Sequence, residues 1–214
     1  MKTLRMSAFA AGLLVLMVAG TTPISTAHAQ GGSPQAEVSV MGGIQALNKN
    51  DTALPDNFIN IPAAAALTYH LNPTWAVEGE MAWMIPIKRS VDLGVGGTQD
   101  RKTPDILAYQ ASVLGKLPIS GTPWTPYLAA GAGAVTFLSN TDSDRFPQLT
   151  KSQTAFALNF GAGATYGVGS HWAVRADYRE LAAFPSKDTA GLSNSNKADP
   201  IWMERGTLGL AYRF

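Results

Sequence analysis

The sequence predicts an all-β fold: an eight-stranded antiparallel up-and-down barrel that crosses a membrane, with short turns at one end and long loops at the other. Three observations predict it. Apolar residues alternate with polar or small ones through almost all of the chain after its N-terminal segment. That is the period of a pleated strand, and a helix built from it would have no apolar stripe. Long polar connections and tight turns alternate strictly along the chain, which gathers the long loops at one end. Beyond the N-terminal segment no stretch approaches 18 apolar residues, so only a closed barrel could span a bilayer.

The N-terminal segment comes first. Lys2 and Arg5 precede an uncharged run from Ser7 to Gly20, and Ala27-His28-Ala29 satisfies the small-x-small cleavage rule. Residues 1–29 therefore read as a signal peptide, with an apolar core too short for a span of about 20 residues. The chain has no Cys to carry a lipid anchor or a disulfide. The expected organisation is a signal peptide over 1–29 and one barrel domain over 30–214, exported to the outer membrane of a Gram-negative cell. Both cations of the leader depart with it, so 14 cations face 15 acidic residues, a net charge of −1. That balance excludes nucleic acid as a partner.

Strands are expected near 37–46 and 58–71, separated by the polar "LNKNDTALPDN". After the tight turn "NPT" at 72–74 comes 75–85, where Trp75, Val77, Gly79, Met81 and Trp83 oppose Ala76, Glu78, Glu80 and Ala82. The long "PIKRSVDLGVGGTQDRKTP" leads to 105–117, and the compact "PISGTPW" at 118–124 leads to 125–138. The long "SNTDSDRFPQLTKSQ" precedes 154–168, with Phe156, Leu158, Phe160 and Tyr166 on one face and Asn159, Gly161 and Thr165 on the other. "GS" at 169–170 turns the chain into 171–183, where Trp172, Val174, Ala176 and Tyr178 oppose Arg175, Asp177 and Arg179. "PSKDTAGLSNSNKADP" carries it to 201–214. An even strand count puts both ends on the short-turn side. In an exported barrel the short turns are periplasmic and the long loops extracellular.

Alternation alone does not say which face points out, since a soluble barrel has the same period. The aromatics decide it. Tyr69, Trp75, Tyr166, Trp172, Tyr212 and Phe214 lie at the short-turn ends of strands, and Phe58, Trp83, Tyr109, Phe156 and Trp202 at the long-loop ends. Two rings of aromatics separated by small aliphatics describe girdles at two lipid interfaces. Charged residues make up 14% of the chain, against about 25–35% of an ordinary soluble surface. An eight-stranded barrel is just wide enough to be filled by side chains, and small residues with a few long charged ones fit there best. Glu78, Glu80, Arg175, Asp177, Arg179 and Arg205 share the inward parity, and an unpaired charge there would be very costly, so a salt-bridge cluster filling the lumen is expected.

The chain closes on "TLGLAYRF", in which Thr207-x-Gly209-x-x-Tyr212-x-Phe214 has the pattern of the terminal assembly signal of outer-membrane barrels. With "TPYLAAGAGAV" (125–135), "FALNFGAGATYGV" (156–168), "HWAVRADYRE" (171–180) and "RGTLGLAYRF" (205–214), the mature chain resembles the OmpA-like eight-stranded outer-membrane barrels. The resemblance implies a barrel in outer-membrane lipid and lipopolysaccharide, inserted by the barrel assembly machinery. The sequence stops at the barrel, so the peptidoglycan-binding domain of full-length relatives, and the tether it provides, is not implied. The sequence identifies no partner for the extracellular loops.

Chemistry has little support. The His-x-Ser pattern of a lipid A deacylase is missing, because His171 is followed by Trp172 and Ala173. A hydroxyl nucleophile needs a base within reach, and the long loops contain no His. His70 and His171 are too far apart in sequence to mark a metal site by spacing. "DLGVGGTQDRKT" lacks the Gly-Lys-Ser/Thr of a phosphate loop, and "GAGAV" and "GAGAT" lie within strands. No catalytic residue, cofactor or metal is expected. The expected function is a structural and surface-interaction role in the cell envelope. The alternative is a narrow low-conductance pore for ions or very small solutes.

Overall fold

The computed structural model describes residues 36–48, 58–87, 89–92, 98–142, 144, 148–185 and 200–214, without the side chains of Asn48, Phe58 and the hairpin at 89–101. The expected signal peptide, the Phe58 ring and most of the loops at 47–57 and 185–200 lie outside what is described. Eight long strands form one closed sheet: β1 (Ala36–Asn48), β2 (Phe58–His70), β3 (Trp75–Pro86), β6 (Ile106–Lys116), β7 (Trp124–Phe137), β8 (Gln153–Gly167), β9 (Trp172–Phe184) and β10 (Ile201–Arg213). Each pairs antiparallel with its chain neighbours, and β1 pairs with β10 from Glu37↔Arg213 to Asn48↔Trp202. Closure leaves no free edge for another chain to pair with.

The expected strands agree with these to within a few residues, because a two-residue period is a direct record of which face is covered. The short turns are built as their residues predict. At 71–74, Asn72 Oδ1 accepts hydrogen bonds from the backbone N–H groups of Thr74 (2.8 Å) and Trp75 (2.7 Å). Gly121 and Gly169 hold φ of 76° and 100°, which a side chain would resist.

One element was not expected. The connection from 86 to 104, read as an unstructured loop, contains β4 (Arg89–Asp92) and β5 (Thr98–Arg101), paired as a separate two-stranded sheet. Strands of four residues are too short and too polar to show a period. The next loop is also shaped, by an Asn140↔Leu149 bridge. The two loops meet where the Lys102 N–H donates to the Asp144 carbonyl (2.8 Å) and the Lys102 ammonium pairs with the Asp144 carboxylate (3.6 Å).

The barrel is inside out relative to a soluble protein. Val40, Ile44 and Leu208 are 65%, 64% and 62% exposed, whereas Arg175, Arg179 and Arg205 are 1%, 0% and 1% exposed. Most of the aromatics lie on the outer face. Trp124–Tyr166 (4.9 Å) and Trp172–Tyr212 (5.0 Å) meet edge to face at the short-turn end, and Phe156 stacks on Phe184 (6.2 Å) at the other. Trp83, Tyr109 and Trp202 face outward toward the long-loop end and Tyr69 toward the short-turn end, while Trp75 lies over Gly115, its register partner. Trp124 and Phe184 belong to the same rings.

Candidate functional site: the lumen

Parity sends Glu78 and Glu80 inward from β3, Arg175, Asp177 and Arg179 from β9, and Arg205 from β10. The structure brings all six together. Arg175 forks onto Glu78, with Nη1 to Oε2 at 2.5 Å and Nη2 to Oε1 at 3.1 Å. Arg179 donates to the same carboxylate from Nη2 (2.7 Å), and Thr68 on β2 donates to its other oxygen (2.8 Å). Asp177 accepts from Arg175 Nη2 (3.1 Å) and pairs with Arg179 Nε (3.0 Å). Higher in the barrel, Arg205 Nη2 meets Glu80 Oε1 at 2.6 Å and lies 3.9 Å from Asp177. Three guanidinium groups thus balance three carboxylates, which is how buried charges are tolerated.

Tyr127 completes the cluster, and its role was not legible in the sequence. Its hydroxyl donates to Asp177 Oδ2 (2.6 Å) and accepts from Arg175 Nε (2.8 Å), while its ring lies 5.0 Å from the Arg175 guanidinium carbon. The ring fits because Gly163 on β8 faces it, where any Cβ would collide with the phenol. To the small and charged residues expected to fill the lumen the structure thus adds a large aromatic. Tyr127 and Phe137 both point inward from β7. In "TPYLAAGAGAV" both faces carry small residues, so parity gives no direction there.

Polar layers flank the cluster. On one side Arg179 Nη1 reaches Ser112 Oγ (3.2 Å) and Asn159 Oδ1 (3.3 Å). At the short-turn mouth Arg213 pairs with Glu37 (2.9 Å), and Lys116 Nζ lies 3.0 Å from His70 Nδ1. His171 sits apart on an exposed turn, with Nδ1 2.7 Å from Ser170 Oγ and its ring stacked on Tyr212. The two histidines are not brought together.

Toward the long loops the lumen turns apolar. Met84, Ile106, Phe137, Leu181, Ile201 and Met203 are at most 1% exposed and form one packed cluster. Leu149, from the loop between β7 and β8, drops into it with 1% exposure. Beneath this plug some polar atoms find no protein partner, among them Arg205 Nε and Nη1, Glu80 Oε2, the Gln110 amide and Gln45 Nε2. Buried groups of this kind are ordinarily satisfied by internal water.

Of the four residues of the expected assembly signal, two face the lumen. Thr207 is buried against Met41 Sδ (3.9 Å) and the Asp177 carbonyl (3.5 Å). A Cβ on Gly209 would collide with the Val40 carbonyl and Met41 of β1. Tyr212 and Phe214 lie on the outside, their rings 5.1 Å apart.

A family described as the outer membrane protein beta-barrel domain matches residues 11–214. No curated protein matches the chain. Among solved structures, Neisserial surface protein A is similar, with 14% identity and a TM-score of 0.58 over 86% of this chain and 100% of that one. The N-terminal β-barrel domain of OprF from Pseudomonas aeruginosa is similar at 15% identity, with a TM-score of 0.52 over 85% of this chain and 100% of that one. At these identities the likeness is one of fold.

Proposed function

The chain belongs to the outer membrane protein β-barrel family, and from that premise we propose that it is a closed, non-conducting barrel that braces the outer membrane and presents its loops outside the cell. Its leader, residues 1–29, directs export. The observation that carries this reading is the doubly sealed lumen. A buried apolar plug around Phe137 and Leu149 sits above a charge cluster whose members are at most 5% exposed. An ion crossing it would have to part the guanidinium–carboxylate pairs, leaving charges unpaired at low dielectric. No step of catalysis is part of this function.

A narrow polar path is the second reading. It is favoured by the unpartnered atoms of Arg205, Glu80 and Gln110 in the middle of the lumen. Planar-bilayer recording separates the two. The closed barrel gives no steady current steps, and neither Arg175→Ala nor Glu78→Gln creates them. Small steady steps in the native protein that change size in either variant would establish the pore instead.

A further inference from the structure

We infer that His70 is a pH-sensitive latch at the short-turn mouth of the barrel. Neutral, it holds the Lys116 ammonium across the opening; protonated, it exchanges Lys116 for Glu37. Lys116 Nζ lies 3.0 Å from His70 Nδ1. An ammonium donates hydrogen bonds and accepts none, so Nδ1 is the acceptor and His70 is neutral, with its proton on Nε2. Nε2 faces Glu37 Oε2 at 4.0 Å, too far for a hydrogen bond. Glu37 takes its hydrogen bond from Arg213 Nε instead (2.9 Å), and Arg213 Nη2 reaches Thr165 Oγ1 at 3.4 Å. Side chains of β6, β2, β1, β10 and β8 thus join in one line across the mouth.

Histidine is the side chain whose ordinary titration falls between about pH 5 and 8. Among the described residues His70 is the only imidazole inside the barrel, since His171 lies on an exposed turn. The charged groups that act on it are Lys116 from β6, Glu37 from β1, Arg213 from β10 and, deeper, Glu78 from β3. Glu78 is already engaged by Arg175, Arg179 and Thr68. A proton on Nδ1 removes the acceptor and sets two positive charges side by side, so the ammonium is expelled. The imidazolium is drawn the other way, to the Glu37 carboxylate that it already faces. Lys116 leaves without disturbing the wall. Its backbone N–H stays bonded to the Thr74 carbonyl (2.6 Å), and its long stem reaches water from the end of β6. Acid therefore loosens the mouth while the arginine–carboxylate cluster beneath keeps its pairs. The latch does not need a conducting lumen, so a conductance result leaves it standing.

Nuclear magnetic resonance of the barrel in lipid nanodiscs, titrated from about pH 8 to about pH 5 beside a water-soluble gadolinium chelate, tests it. At the upper end the His70 ring carries its proton on Nε2, and the chelate relaxes the Lys116 Cε signals only weakly. Through the His70 titration that relaxation rises severalfold as the ammonium swings into water. His70→Gln keeps an acceptor for Lys116 but takes up no proton, so its Lys116 relaxation stays low throughout. Lys116→Met removes the neighbouring cation, and His70 then takes up its proton about one pH unit higher than in the native barrel. Lys116 relaxation that does not change with pH in the native barrel overturns the proposal, as does an equal rise in His70→Gln. A native ring with its proton on Nδ1 at the upper pH overturns it too, because that tautomer could not accept from Lys116. If His70→Gln does not fold, Lys116→Met decides: a His70 titration left where it was would show that the two side chains are not coupled.

Discussion

Glu78 accepts hydrogen bonds from Arg175, Arg179 and Thr68, so two guanidinium groups of β9 share one carboxylate. Glu78→Gln keeps the volume but leaves the cluster with an uncompensated positive charge where no side chain is more than 5% exposed. The expected loss is about 3–5 kcal/mol of stability, the usual cost of breaking a buried pair by removing one partner. Guanidinium unfolding in lipid vesicles, followed by Trp fluorescence, measures it as a lower midpoint at unchanged slope. A midpoint equal to the native one would mean that the cluster is hydrated and contributes little. That these six residues face inward was legible from parity. Which carboxylate meets which arginine was not. Glu78 and Arg175 lie 97 residues apart and meet only across a closed lumen.

The last strand carries two roles that the structure separates. In β10, Thr207 and Gly209 are inward and fixed by contacts with Met41 and Val40, so their substitution damages closure directly. Phe214 is 66% exposed and touches the barrel through its N–H to the Ala36 carbonyl (2.9 Å) and the Tyr212 ring. If "TLGLAYRF" directs assembly, Phe214 is where recognition is separable from folding. Deleting Phe214 is expected to lower outer-membrane levels strongly in cells. The same purified variant should refold in detergent to a compact, heat-modifiable barrel, since losing one interfacial aromatic costs at most a few kcal/mol. Normal levels in cells would sink the signal reading. Failure in both settings would assign Phe214 to stability. The pattern itself could be read from the sequence, but the division of its four residues between packing and display required the β1–β10 seam.

At the scale of the molecule, the long-loop end is more built than its composition suggests. Leu149 enters the apolar plug, the Asn140↔Leu149 bridge shapes its loop, and Lys102–Asp144 ties that loop to the one before it. Leu149→Asp places a charge in an apolar cluster that offers it no partner. The loop should detach rather than bury it. The expected result is faster protease cleavage between Phe137 and Gln153 on intact cells, with the barrel still migrating as folded in unheated gels. Unchanged cleavage would show that the loop is held by its polar ties alone.

The sequence by itself determined the number of barrel strands, the order of short and long connections and which face of most strands meets lipid. Each of these is written locally: a strand records its environment every second residue, and a turn records its conformation in Asn, Pro and Gly. Only the tertiary structure decided what fills the lumen above and below the charges. Tyr127 and Phe137 sit among small residues on both faces, so their direction follows from where the neighbouring wall leaves room, as Gly163 does for Tyr127. Leu149 joins the core from a polar loop because closure brings Phe137 and Ile106 beneath it. The meeting of Lys116 with His70 across β3 is likewise a matter of register. Such contacts depend on closure and on the pairing of each strand with the next, which the local period of any one strand does not encode.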